Sequence, residues 1–301
     1  MPAPPREPPF RLDRAGVRSA FDRASASYDA AAVLQARVRR ELLDRLRPMR
    51  LEPRIALDLG ASTGHGARAL KQLYPSATVI ALDIAPGMLR EARRNIRAFR
   101  RFVRVCGDAF RLPLADACVD LVFSNLMLQW CDELDVALSE IRRVLAPGGF
   151  LTFSTLGPDT LRELRSAWAA ADSMSHVNAF LDMHDIGDAV TRAGLSEPVL
   201  DVERVELTYS DVFALVRDLK AIGAHNVTSA RRRGLTGRGK WHAMTLAYEA
   251  FRRDGRLPAS YEVVHGAAWG AEPRSALTGA GHELRGEVHI APAAIRHRAR
   301  D

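Results

Sequence analysis

The sequence predicts an α/β fold, a seven-stranded and mostly parallel β-sheet with helices on both faces and a helical lid. Three observations lead there. Short apolar strands alternate with helical segments from about residue 55 to 155, and a strand–helix–strand rhythm gives parallel pairing. The first of these strands runs directly into a glycine-rich turn, and the next two end beside aspartates.

The lead-in, residues 1–12, holds five prolines and no apolar stretch of the kind a signal peptide needs, so it reads as disordered. Residues 14–47 read as helix. Ile55–Leu59 is the first strand, followed by Gly60-Ala61-Ser62-Thr63-Gly64-His65-Gly66 and a helix that Tyr74-Pro75-Ser76 stops. Thr78–Leu82 is the second strand, ending at Asp83. Pro86 opens the next helix, with Met88, Leu89, Ala92 and Ile96 at helical spacing. Phe102–Cys106 is the third strand, ending at Gly107-Asp108, and Asp120–Ser124 is the fourth. Leu138, Ile141, Val144 and Leu145 form one helix face, Ala146-Pro147-Gly148-Gly149 ends that helix, and Phe150–Ser154 is the fifth strand.

Beyond Thr155 the rhythm loosens. Helices are expected from Pro158 to about Ala171, over Asp185–Ala193 and across residues 211–250, where Val212, Leu215, Val216, Leu219 and Ile222 make an apolar stripe. Val199–Tyr209 and Tyr261–His265 are the sixth and seventh strands. One domain is expected over residues 13–270, with lid elements near 14–47, 157–193 and 211–256 and a basic tail at 271–301 with weak strand character at Glu287–Ile290.

The chain has 301 residues, 47% hydrophobic and 26% charged, which excludes collagen, coiled coil and wholesale disorder. No apolar run is long enough to span a bilayer. The net charge is +7, and 40 of the 43 basic residues are arginine. Such a surface suits an acidic partner, a membrane surface or nucleic acid. The densest basic segment is Arg231, Arg232, Arg233, Arg238 and Lys240, extended by Arg252, Arg253 and Arg256; aromatic residues are not interleaved with it, which counts against nucleic acid. Cys106, Cys118 and Cys131 form no CxxC, and no HExxH occurs, so no metal centre is expected and a reducing, cytoplasmic compartment fits.

In an open parallel sheet, ligands bind beyond the carboxyl ends of the strands. Three such ends carry matching chemistry: Asp58, Gly60, Ala61 and Gly64 at the first, Asp83 and Ile84 at the second, and Asp108, Ala109 and Phe110 at the third. Glycine lets the backbone approach a ligand. Asp83, nineteen residues after Gly64, suits the hydroxyls of a ribose, Asp108 an adenine amine, and Phe110 the ring face. A dinucleotide would need G-x-G-x-x-G. Here the spacing is Gly60-x-x-x-Gly64-x-Gly66, with Asp58 where a carboxylate would repel pyrophosphate and attract an ammonium. That favours S-adenosylmethionine over a nicotinamide dinucleotide.

Ala56-Leu57-Asp58-Leu59-Gly60-Ala61-Ser62-Thr63-Gly64 resembles the first motif of the class I S-adenosylmethionine-dependent methyltransferases, with Ser62 where glycine is usual. Met88-Leu89, Gly107-Asp108-Ala109 and Leu145-Ala146-Pro147-Gly148-Gly149 match the same superfamily, which implies a Rossmann-like fold. Phe21-Asp22-Arg23-Ala24, Ser27-Tyr28-Asp29, Ser124–Trp130, Thr155–Leu161, Leu219–Ala224 and Leu257–Val263 narrow the resemblance to the malonyl-[acyl-carrier protein] O-methyltransferases of bacterial biotin synthesis. The resemblance runs from about residue 18 to 270 and implies methyl transfer to the free carboxylate of malonyl on acyl carrier protein. A carboxylate is already a nucleophile, so no general base is expected. Tyr28, Asn125, Gln129 and Trp130 are the expected substrate-pocket residues, with Arg217 and Lys220 as candidate cations for the malonyl group. Each of these also has an ordinary structural role open to it, as core aromatic, turn cap or solvated helix charge. Arg231, Arg232, Arg233 and Arg238 are the expected docking surface for the acidic carrier protein. Two other readings stand beside this one: a non-methylating homologue serving as an assembly factor or hydroxylase for a respiratory complex, and a methyltransferase acting on a small molecule such as a quinone precursor.

Overall fold

The computed structural model describes residues 12–96, 101–174, 176–224 and 236–270. The lead-in up to residue 11, the basic tail with its Glu287–Ile290 segment, and Arg231, Arg232 and Arg233 lie outside the described residues.

The expected N-terminal helix is three pieces: α1 (Arg14–Ala24), α2 (Tyr28–Ala31) and α3 (Val33–Leu46). Asp13 caps α1 by accepting from the Gly16 N–H at 2.9 Å. The hydroxyls of Ser25 and Ser27 then bond back to the carbonyls of Asp22 and Ala24, which is the competition with helix that serine offers. The break turns Tyr28 and Asp29 toward the strand ends.

The elements β1 (Ile55–Leu59), α4 (His65–Leu73), β2 (Thr78–Asp83), α5 (Pro86–Ala92), β3 (Val103–Cys106), β4 (Val119–Asn125), α6 (Leu134–Val144) and β5 (Leu145–Leu156) follow in the expected rhythm. Then come α7 (Arg162–Ala169), α8 (Met183–Arg192), β6 (Leu195–Tyr209), α9 (Val212–Ala221), α10 (Arg238–Glu249) and β7 (Leu257–Gly270). The expected continuous helix over 211–250 is thus two helices: α9 ends at Ala221, and Gly223, just past its C-cap Ile222, takes the left-handed φ of +77° that closes a helix.

The seven strands form one sheet in the order β3-β2-β1-β4-β5-β7-β6. The β1, β2, β3, β4 and β5 pairings are parallel, and β7 runs antiparallel to both β5 and β6. Strand order reverses between β1 and β4, which is where an open sheet forms its ligand crevice. Alternation along β1 shows why both faces are covered: Leu57 and Leu59 join a cluster with α6 and α8, while Ala56 joins one with α3 and α4. A third cluster covers the C-terminal part of β6 and the N-terminal part of β7, where Leu34, Leu164, Trp168, Leu215, Met244 and Tyr248 join Tyr261. Among the described residues, no helix is long and apolar enough to cross a membrane.

Candidate active site

A deep cavity opens beyond the strand ends, running from β3, β2 and β1 to β5, β7 and β6. Gly60, Asp83, Ile84, Asp108, Ala109 and Phe110 line the first part of it, with Tyr28, Gln129 and Trp130.

The turn after β1 has to bend sharply. Gly60 sits at φ +77°, and a Cβ there would stand 2.3 Å from Met127 Cγ. Gly64 sits at φ +79° and faces Ala92 and Phe102, so it lets α4 close on its neighbours and does not line the cavity. Ser62 holds φ +47°, the conformation glycine would take without strain. Its backbone N–H donates to Asp83 Oδ2 at 2.8 Å, and its hydroxyl lies 3.4 Å from the Tyr28 hydroxyl. The serine is therefore tied at both ends.

Asp83 is 8% exposed and accepts from the Ala85 N–H through Oδ1 at 2.8 Å. Burial pushes its carboxyl up to about 6, against the pull of these backbone N–H groups. Asp58 and Ala61 lie behind the cavity wall, not on it. Burial pushes Asp58 up to about 7, opposed by the Ala67 N–H and the Arg39 charge, and its Oδ2 has no hydrogen-bond partner. Asp108 Oδ1 accepts from the Phe110 N–H at 3.0 Å, and the Arg14 guanidinium lies 3.6 Å above the Phe110 ring.

Several expected substrate residues stand elsewhere. Asn125 is off the cavity wall: its amide donates to the Gln35 carbonyl and accepts from Ser154, joining β4 to α3 and β5. Arg217 and Lys220, expected to meet the malonyl group, do not line the cavity either. Both lie on the exposed side of α9, because the face that meets the cavity carries Asp218, Leu219 and Ile222. Trp130 packs edge-on against Phe21 at 5.1 Å, and Gln129 donates to the Leu126 carbonyl at 2.8 Å. Arg238 is exposed at the start of α10, but Lys240 is bound to Asp172 at 3.0 Å, and Arg252 and Arg256 are bonded to Glu249 and Thr208. The basic segment is thus narrower than its sequence suggests.

The far part of the cavity was not legible. Gln35, His176, Asn178, Tyr209 and Tyr261 line it. Among the described residues, Arg14 and His176 are the basic side chains on the wall. His176 stacks on Trp168 at 3.8 Å between centroids, and its Nε2 lies 2.8 Å from Asp172 Oδ1. Lys240 and His176 together hold the Asp172 carboxyl down at about 2, Lys240 contributing most. Gln35 Oε1 and Asn178 Oδ1 are buried without partners. The loop carrying His176 and Asn178 has no hydrophobic period, so nothing local marked it.

The carboxylates of Asp83 and Asp108 at neighbouring strand ends, the side-chain-free turn at Gly60, and the unpartnered Asp58 oxygen behind that turn are an acceptor set that fits the hydroxyls, amine and ammonium of an adenosyl sulfonium. This fold and site define a class I methyltransferase that uses S-adenosylmethionine. Residues 57–153 match the family model described as a methyltransferase domain. The chain is 53% identical over 274 residues to the malonyl-[acyl-carrier protein] O-methyltransferase of Methylovorus sp. (strain MP688), covering 89% of this chain and 93% of that protein. It is 52% identical over 278 residues to the enzyme of the same name from Laribacter hongkongensis (strain HLHK9), covering 89% and 94%. The chain belongs to the malonyl-[acyl-carrier protein] O-methyltransferase family. The YcgJ protein of Bacillus subtilis shares the fold, with a TM-score of 0.56 at 15% identity over 78% of this chain and all of that one. Family membership does not favour the assembly-factor or quinone-precursor readings.

Proposed function

We propose that the chain transfers a methyl group from S-adenosylmethionine to the free carboxylate of a malonyl thioester carried on acyl carrier protein, an early step of biotin synthesis. The observation that carries this reading is the single cavity that joins the Asp83–Asp108 end to the His176–Asn178 end.

Asp83 and Asp108 would hold the adenosine, and Gly60 and Ser62, with Asp58 behind them, the amino-acid part. The bound donor supplies an electrophilic sulfonium methyl. The acceptor oxygen is anionic before reaction, so no proton has to be removed by a side chain. The residues instead align the two partners and exclude water, which favours a step that cancels a positive and a negative charge. Tyr28, Gln129 and Trp130 form the walls between the two ends. His176, its Nε2–H held by Asp172, takes the role first sought in Arg217 and Lys220: as the imidazolium it donates through Nδ1 to the malonyl carboxylate. Gln35 and Asn178, each with an unpartnered amide oxygen, offer hydrogen-bond acceptors beside it.

Arg231, Arg232, Arg233 and Arg238 lie in or beside the segment that joins α9, on the cavity wall, to α10. That position suits a basic surface that meets an acidic carrier and directs its prosthetic arm inward. The lid assignments near 14–47, 157–193 and 211–256 belong to the same proposal: Tyr28, Leu161 and Leu219, one from each, line the cavity.

The test is direct. Purified chain, S-adenosylmethionine and malonyl-carrier protein should yield the methyl ester and S-adenosylhomocysteine in equal amounts. Binding of the donor with no ester formed would reject the acceptor assignment.

A further inference from the structure

We infer that Glu41, Glu203 and His265 form a binding site for a divalent metal ion of the zinc class, separate from the methyl-transfer cavity. None of the three residues lines that cavity.

The fold assembles the site from three elements. His265 on β7 pairs with Asp201 on β6, and Glu203 lies two residues along the same face. Helix α3 crosses this face with Arg37, Glu41 and Arg45 at four-residue intervals. His265 is 2% exposed, yet neither of its ring nitrogens has a hydrogen-bond partner. A buried imidazole with both nitrogens unpaired is costly and rare. Its Nε2 points between the two carboxylates, 3.5 Å from Glu203 Oε2 and 3.9 Å from Glu41 Oε2. Glu41 Oε2 is likewise buried without a partner.

Both separations are too long for good hydrogen bonds; the 3.5 Å one matches donors arranged around an ion, and Glu41 at 3.9 Å would have to close by a few tenths of an ångström to join them. With metal–ligand bonds of roughly 2.0–2.2 Å, tetrahedral donors stand about 3.3–3.6 Å apart. One imidazole and two carboxylates match the preference of a borderline divalent cation. The outer oxygens are already oriented: Arg37 donates to Glu41 Oε1 at 3.0 Å and to Glu203 Oε1 at 2.6 Å. Such bonds behind the ligands fix carboxylate geometry. Arg45 is neutralised by Asp201 through bonds of 3.0 and 2.8 Å, so the charges facing the ion are the two glutamates against Arg37. A bound ion would tie α3 to the β6–β7 pair, both of which reach the cavity wall further along, at Gln35, Tyr209 and Tyr261. The role is therefore structural.

The experiment uses untagged, full-length protein stripped with chelator and then titrated with Zn2+, with metal content measured after dialysis. One equivalent is expected, with a higher melting temperature. Glu203→Gln, which keeps the side-chain shape at a partly exposed position, and His265→Gln should each weaken Zn2+ binding at least tenfold and abolish the thermal shift. Co2+ in place of Zn2+ should give the intense visible bands of a four-coordinate site, absent in Glu203→Gln. No uptake by the stripped chain would overturn the proposal in favour of a proton shared among the three groups. Equal uptake by Glu203→Gln would also overturn it, placing the metal elsewhere.

Discussion

His176 and Asp172 stand 2.8 Å apart, Nε2 to Oδ1, with the imidazole stacked on Trp168 and the other carboxylate oxygen taken by Lys240. This pair turns a histidine in an irregular loop into a fixed polar group on the cavity wall. His176→Gln should raise KM for the malonyl substrate ten- to a hundredfold, the equivalent of about 1.5–3 kcal/mol for a hydrogen bond to a charged group. The Kd for S-adenosylmethionine should change less than twofold. Equal loss of both would place His176 outside acceptor recognition.

Asp83 serves the donor end. Asp83→Ala should weaken S-adenosylmethionine binding by roughly 1.5–3 kcal/mol, because charged hydrogen bonds and the anchor for the Ser62 N–H go together. Calorimetry checks this, and unchanged affinity would remove Asp83 from the site.

Gly60 carries two constraints, its positive φ and the Met127 side chain. Gly60→Ala should therefore lose donor binding and destabilise the chain by about 1–3 kcal/mol, read by denaturant unfolding. Adding Met127→Ala should recover the packing part only, since backbone strain stays.

The Asp58 carboxyl gives a pH signature. Its folded pKa of about 7 lies above its value of 3.8 in the unfolded chain. The protonated form is thus favoured in the folded state, and the stability it gives is full below pH about 4 and lost as pH rises through 7. Asp58→Asn should raise the melting temperature of the ligand-free chain at pH 8 and change it little at pH 4. The gain should be of the order of 1–3 kcal/mol. The same variant should bind S-adenosylmethionine more weakly at pH 8. Stabilisation that does not depend on pH would refute the linkage.

Reversing charge at Arg231, Arg232 and Arg233 should lower kcat/KM for malonyl-carrier protein and flatten its dependence on salt. A short malonyl thioester should be methylated as before. If it is impaired equally, the segment is not a docking surface.

Much of the sheet was legible because parallel strands buried on both faces are written as apolar runs, and because glycine and aspartate at their ends are local signals. Gly60, Asp83, Asp108 and Phe110 meet at the cavity for that reason. Arg217 and Lys220 show the limit. The apolar stripe of α9 correctly marked its buried side, Val212 and Leu215, but which flank of that stripe meets the cavity depends on how the helix docks, and Asp218 took the place expected for Lys220.

By itself, the sequence determined the strand–helix order and the chemistry of the donor end, since each rests on residues close together in the chain. Only the tertiary structure decided the acceptor end and the Glu41–Glu203–His265 cluster. Those residues come from separate elements, and their meeting is fixed by register and helix docking, which no local pattern encodes.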